Sequence, residues 1–288
     1  MKDLDFQLKQ MVSRNRDGSF ATQHDRARAL ALMAVQLREL GFAQMRADSL
    51  KPKHVEALVQ RWTTEGVATG TIKNRMAVLR WWAEKIGKQN VIARTNDAYG
   101  IPDRQTFTNV SKALKTPESA LERVSDPYTR MSLRLQAAFG LRRAESIKIQ
   151  PAWADRGDHL VIKDTWAKGG RPREIPIRSD TQRAVLEAAK ALAGTGSLIP
   201  QELKYVDQLR RFEHQCARAG IHRVHGHRHH YAQERYRELT GWAAPAAGGP
   251  MSRALTPEQK EMDREARQVI STELGHDRLA ITAVYLGK

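Results

Sequence analysis

Cysteine is almost absent from this chain. The single residue, Cys216, excludes an intramolecular disulfide and a cysteine-built zinc site. No apolar run approaches the length of a membrane span, and the opening MKDLDFQLKQMV has no apolar core of the kind a signal peptide carries. A reducing, cytoplasmic setting is the expectation that follows. Acidic side chains are also in short supply: Asp and Glu number 32 against 48 Lys and Arg, which leaves a net charge of +16 and a pI near 10.2. A surplus of that size repels itself in the folded state and points to a polyanionic partner. Nucleic acid is the first candidate, because release of its condensed counterions drives binding to a basic surface. An anionic membrane is the weaker one, since no strongly amphipathic Lys-rich helix with Trp or Phe on its apolar face stands out. Charge alone also permits a basic protein with no such partner.

What is present supports a folded chain. Its 288 residues are 41% hydrophobic and 28% charged, enough for a sizeable core and comfortable for two domains. From Phe20 to Gly87 the pattern reads as three or four amphipathic helices. Leu30, Met33, Ala34 and Leu37 fall at helical spacing before Gly41. Val55, Leu58, Val59 and Trp62 follow Pro52, which suits a first turn. A third helix starts near Thr69 or Thr71 and carries the stripe Ile72, Met76, Leu79, Ala83, Ile86. Its other faces hold Lys73, Arg75, Arg80 and Lys85, which are candidate DNA-phosphate contacts or simply solvated cations. No internal repeat is visible.

Periodicity is lost over residues 87–117, where Gly100, Pro102 and Pro117 mark an interdomain connection. The expected division is a helical domain over 1–110 and a second domain over 111–288. In the latter, Tyr128–Phe139 reads as a helix with Met131, Leu135 and Ala138 inward. His159–Lys163 and Arg173–Ile177 read as strands joined through Gly169-Gly170, a hairpin. Helices are expected near 180–193, 206–219, 228–239 and 258–273. The Ala-, Gly- and Pro-rich stretch 240–250 is expected to be a mobile surface loop. The fold class is therefore mainly α with a small antiparallel sheet.

Four places concentrate reactive side chains. Arg142 and Arg143 open a helix after Gly140; Lys168 sits in the glycine-rich hairpin turn, from which a flexible ammonium could reach a leaving oxygen. His225 and Arg228 are one helical turn apart, so a helix would put both on one face. Gly275-His276 precedes Tyr285 near the carboxyl end. Each has a bland reading as surface cation, solvated lysine or core aromatic. The five histidines from His222 to His230 also raise a metal site, against which stands the lack of a carboxylate or cysteine ligand at the usual helical spacings.

The order of these features changes their weight. GLRRAE at 140–145, WAKGGRPREIPI at 166–177, HGHRHHYA at 225–232 and LGHDRLAITAVY at 274–285 together resemble the tyrosine recombinase (phage integrase) family. The resemblance spans the whole second half and extends more loosely to 20–87, which looks like the family's helical core-binding domain. It implies that Tyr285 attacks a DNA phosphodiester and leaves a 3′-phosphotyrosyl link. Arg142 and Arg228 would clamp the non-bridging oxygens, where a planar fork suits phosphate. Lys168 would protonate the leaving 5′ oxygen, His225 would share in proton transfer with the tyrosine, and His276 would hydrogen-bond the phosphate. Glu145 would orient the site. Two guanidiniums and an ammonium can supply the charge that other nucleases take from magnesium, so neither metal nor other cofactor is expected. The implied partners are double-stranded DNA and three further copies of the chain on paired DNA sites, with a monomer as the expected state without DNA, no membrane, and a place in the cytoplasm with the nucleoid.

Three departures from the family pattern stand out. Arg143 occupies a position that is often small or aliphatic, although position favours Arg142 as the inward arginine. The interval from Arg228 to His276 is longer than usual. Only Leu286, Gly287 and Lys288 follow the tyrosine, so assembly is expected to use a surface other than a long terminal helix. Met1–Ser19 is short for an additional arm-binding domain. Two other functions share the pattern: type IB topoisomerase-like relaxation, and a DNA-binding regulator that keeps the fold without cutting.

Overall fold

The computed structural model describes residues 3–104, 107–276 and 278–288. The chain forms two compact units, Met1–Gln105 and Thr106–Lys288, each with its own apolar core.

The first unit is built from α1 (Asp3–Arg14), α2 (Phe20–Glu39), α3 (Pro52–Thr64) and α4 (Thr69–Lys85). The expected helices are there for the expected reasons: the Ser19 side chain accepts from the Thr22 N–H to start α2, and Pro52 opens α3. One helix was not anticipated. α1 buries Leu4, Leu8 and Val12, spaced one turn apart, and packs against α2. At the centre Trp62 and Trp82 are fully buried, and each finds an acceptor for its indole N–H: Gln36 Oε1 and Ala47 O, both at 2.9 Å.

The second unit comprises α5 (Glu118–Glu122), α6 (Pro127–Phe139), α7 (Arg143–Lys148), α8 (Pro151–Ala154), β1 (His159–Ile162), β2 (Arg173–Pro176), α9 (Asp180–Ala193), α10 (Tyr205–Arg218), α11 (Gly226–Thr240), α12 (Pro257–Glu273) and α13 (Ala283–Leu286). The strands form the expected antiparallel hairpin, with His159 opposite Pro176 and Ile162 opposite Arg173. Alternation along β2 turns Arg173 and Ile175 to the buried side. The main core joins Leu135, Phe139, Leu160, Ile175, Leu186, Tyr236, Ile270 and Leu286. Through it runs α11, which buries a polar run, His227, Arg228 and His229, instead of an apolar stripe. Buried polar groups need partners, and those partners make the site.

The stretch 240–250 differs from its expected surface-loop character. Ala244, Pro245 and Ala246 are buried, in a 3₁₀ turn (Pro245–Ala247) that packs against α13. Small side chains here allow close backbone approach, where composition alone suggests a linker. Among the described residues no helix is long and apolar enough to cross a membrane.

Candidate active site

A cleft of about 990 Å³ in the second unit is lined by Arg142, Arg143, Lys168, Arg171, Arg223, His225, His276 and Tyr285, among others. Five of the six catalytic candidates, Arg142, Lys168, His225, His276 and Tyr285, thus share one basic cavity; the sixth, Arg228, is buried directly behind it.

Tyr285 is nearly buried on the short helix α13. Its hydroxyl lies 3.2 Å from His225 Nε2 and accepts from Arg228 Nε at 3.3 Å. His276 stacks on the phenol ring, centroids 5.2 Å apart and planes 23° from parallel. His229 packs on it as well, at 4.5 Å. Arg228 is held by two carbonyls, Gly140 O at 2.7 Å and Leu274 O, and its Nη2 approaches His276 Nε2 at 3.4 Å. Burial pulls the Arg228 guanidinium down to about 10, which still leaves it charged at neutral pH.

The second arginine is fixed by a carboxylate. Arg142 caps α7, and both its backbone N–H and its Nη1 donate to Glu145 at 2.7 Å. Arg143 also reaches the cleft wall but pairs with exposed Glu213 at 2.9 Å, so Arg142 is the member of the pair held by the buried carboxylate. Glu145 is completely buried and also accepts two bonds from Arg173, at 3.0 and 2.7 Å. Burial alone would raise its pKa; the Arg173 hydrogen bonds and charge, then Arg142 and Arg228, outweigh that and hold it at about 2. Arg173 donates in addition to Glu273 O at 2.8 Å, tying the hairpin to the end of α12. The next turn can be only glycine: Gly275 has φ +62°, and a Cβ there would sit 2.9 Å from Arg173 Cδ. Arg173 was missed as a site residue. Its signal was legible, a charge on the same strand face as Ile175.

Lys168 is exposed in the β1–β2 turn at the cleft margin. The histidine cluster disperses: His225 and His229 go to Tyr285, while His227 meets Thr116 Oγ1 at 3.1 Å. Among the described residues no group of three or more His, Cys, Asp or Glu is placed to hold a metal ion. The four α4 cations do not gather at one place. Lys73 pairs with Asp103 at 2.8 Å, Lys85 with Asp17 at 3.0 Å, and Arg80 donates to Asn96 Oδ1 at 2.8 Å. Arg75 lies over the Trp62 ring, with its Nη1 buried and unpartnered.

The imidazoles around Tyr285 are neutral at pH 7. His225 sits at the cleft mouth, and partial burial, then Arg228 and Arg142, lower its pKa. Burial first, and neighbouring positive charge second, hold His276 at about 3 and His227 and His229 at about 4. Below the ordinary value of 6.5 the unfolded chain takes up protons that the folded one refuses. Stability is therefore complete above pH 6.5 and falls as pH drops toward 4 for His227 and His229 and toward 3 for His276, by at most roughly 1.4 kcal/mol per pH unit for each of these three. Melting curves between pH 7.5 and 5 check this; a midpoint that stays flat over that range contradicts the buried, neutral assignment.

A phenol between guanidiniums and neutral imidazoles, in a basic cleft, has the groups that attack on a phosphorus centre would call for. The family model described as "Phage integrase, N-terminal" matches residues 1–92, and that described as "Integrase" matches residues 104–234. The chain belongs to the tyrosine recombinase (phage integrase) family, whose members are site-specific DNA recombinases. No curated protein sequence matches it. Solved structures share its fold. A lambda integrase dimer bound to a COC′ core site is 14% identical, with TM-score 0.60, over 96% of this chain and 76% of that one. XerH site-specific recombinase bound to its difH substrate is 16% identical, with TM-score 0.59, over 98% and 80%. The Tn1549 transposon integrase in complex with circular-intermediate DNA is 15% identical, with TM-score 0.56, over 100% and 96%.

Proposed function

We propose that this recombinase cuts and rejoins DNA through a 3′-phosphotyrosyl intermediate on Tyr285, and integrates or excises a mobile element. One observation carries the reading: the Tyr285 hydroxyl lies within 3.3 Å of both His225 Nε2 and Arg228 Nε. The phenol oxygen attacks phosphorus and its proton passes to neutral His225. Arg142 and Arg228 neutralise the charge that develops on the non-bridging oxygens. The bond to the 5′ oxygen breaks, and that oxygen takes a proton from Lys168 on its flexible turn. His276, neutral and beside Arg228, hydrogen-bonds the phosphate. Because the phosphotyrosyl bond retains the energy of the phosphodiester, a second 5′ hydroxyl can rejoin the strand by the reverse steps.

Lys73, Arg75, Arg80 and Lys85 would contact backbone phosphates; Lys73, Arg80 and Lys85 would exchange their present acidic and amide partners for DNA, and Arg75 would leave the Trp62 ring. Exchange between two duplexes calls for four active sites. Support for such an assembly comes from a relative of the same fold, a lambda integrase tetramer described as bound to a Holliday junction. Double-stranded DNA and a homotetramer on paired sites are thus the proposed partners.

A nicked suicide substrate carrying the element's own junction tests the chemistry. The expected result is a covalent protein–DNA band that forms equally well in EDTA. Two such sites on one plasmid should then yield recombinant products. Relaxed circles without recombinants would favour a topoisomerase-like role; binding without any band would favour a regulator.

A further inference from the structure

Beyond the cleft, an internal chain of hydrogen bonds runs to the end of the helix that carries the phenol. Trp242 Nε1 donates to Tyr236 Oη at 3.2 Å, and Tyr236 donates to Asp263 Oδ1 at 2.6 Å. Asp263 accepts from Arg267 Nε through both oxygens, at 2.8 and 2.9 Å. Arg267 Nη1 then donates to the carbonyl of Gly287 at 2.9 Å, two residues beyond Tyr285. Tyr236 is fully buried, Asp263 nearly so, and the Arg267 side chain is 12% exposed, so the relay is shielded from competing water.

The carbonyl it grips has little freedom. Gly287 has φ +77°, and a Cβ there would meet Asn109 Oδ1 at 2.5 Å and the Ala246 N at 2.8 Å. Leu286 is completely buried, and Gln233 Nε2 holds the Tyr285 carbonyl at 3.0 Å. The end of α13 is thus clasped by α11, by α12 and by the 245–247 turn through its buried Pro245 and Ala246, all from the same chain.

We propose that Arg267 is a positioning residue for DNA cleavage: by fixing the Gly287 carbonyl it sets the reach of Tyr285 toward Arg228 and His225 of its own chain. The proposal rests on Tyr285 being the nucleophile. Arg267 touches neither phenol nor phosphate, and it acts through the backbone. Loss of the clasp leaves α13 attached by its apolar residues but free to shift, and a displacement of about 1 Å of an attacking atom costs on the order of a hundredfold in rate.

The test measures covalent-complex formation on the nicked substrate at saturating DNA, alongside DNA affinity and melting temperature, for the full chain and for Arg267→Ala, Arg267→Lys and Tyr236→Phe. Arg267→Ala is expected to slow the covalent step by about tenfold to a hundredfold, with DNA affinity unchanged within about twofold. Arg267→Lys, whose ammonium can reach the same carbonyl, should recover most of the rate. Tyr236→Phe should fall between, because Asp263 keeps its grip on Arg267 but loses its own orienting donor. A parent-like rate in Arg267→Ala overturns the proposal. So does a parallel loss of affinity, melting temperature and rate that Arg267→Lys does not restore, since that marks a purely structural role. Should Arg267→Ala fail to fold, the lysine and phenylalanine variants decide by the same criteria. If the parent chain itself forms no covalent band, the assignment of Tyr285 fails first and the proposal falls with it.

Discussion

Tyr285→Phe is expected to bind DNA as the parent does and to give no covalent protein–DNA band. The variant removes one oxygen. Affinity rests on many phosphate contacts and the release of counterions along the duplex, so a single hydroxyl in a cleft contributes little to it. Folding should survive as well: the ring keeps its packing against His276 and His229, and Arg228 keeps its bonds to Gly140 O and Leu274 O. What vanishes is the atom that, on the proposed mechanism, becomes bonded to phosphorus. Neither Arg142 nor Arg228 can replace it, since guanidinium carries no available lone pair. The expected loss is on the order of 10⁴-fold or more, with the site's remaining charge stabilising only slow attack by water. A suicide-substrate gel run beside a binding titration reads both quantities. A covalent band that persists in Tyr285→Phe would move the nucleophile to another residue and undo the assignment.

The candidate site was more legible in the sequence than the details around it. Arg142, Lys168, His225, His276 and Tyr285 each have an ordinary alternative, but their order along the chain does not, and in the structure they line one cleft with Arg228 behind it. Arg173 was harder to see. A single arginine in a predicted strand is normally placed on the wet face, and only its register with Ile175 betrays an inward charge. Its partner Glu145 lies 28 positions away in sequence, and nothing local announces that pairing. The same distance problem hid the fate of the α4 cations, since Lys85 meets Asp17 and Lys73 meets Asp103 only once the first unit folds. In the 240–250 stretch, composition misled. Alanine, glycine and proline read as a linker, yet these small residues lie close against α13. Helix α1 shows the opposite error: Leu4, Leu8 and Val12 carry a readable helical period within an otherwise polar opening.

Glu145→Gln is expected to destabilise the second unit by about 3 kcal/mol at pH 7 and to erase a limb of acid denaturation expected of the parent. Glu145 is the negative charge set among Arg142, Arg173 and Arg228, and it is fully buried. Removing it leaves guanidiniums in low dielectric without their counter-charge, the situation in which breaking a buried ion pair costs most. The amide is nearly the same size, so packing is preserved and the change isolates charge. Because the folded carboxylate titrates at about 2 against an ordinary 4.5, its stabilisation is fully present above pH 4.5 and is lost as pH falls toward 2. The buried histidines begin to act at pH 6.5, and the two windows overlap only below 4.5, so the stretch from pH 6.5 to 4.5 reads the histidines alone. In the variant the lower limb should flatten while the histidine limb remains. For a unit of this size 3 kcal/mol corresponds to a fall in melting temperature of roughly 6–12 °C. Cleavage should drop with it even at temperatures where the variant is folded, since an amide offers one acceptor oxygen where the carboxylate offers two, and Arg142 loses one of its two bonds to this side chain. The arriving DNA phosphate brings back negative charge, so DNA should raise the variant's melting temperature by more than it raises the parent's. A Glu145→Gln protein that melts within a degree of the parent, with both acid limbs intact, would mean that the arginines are held by something other than this carboxylate.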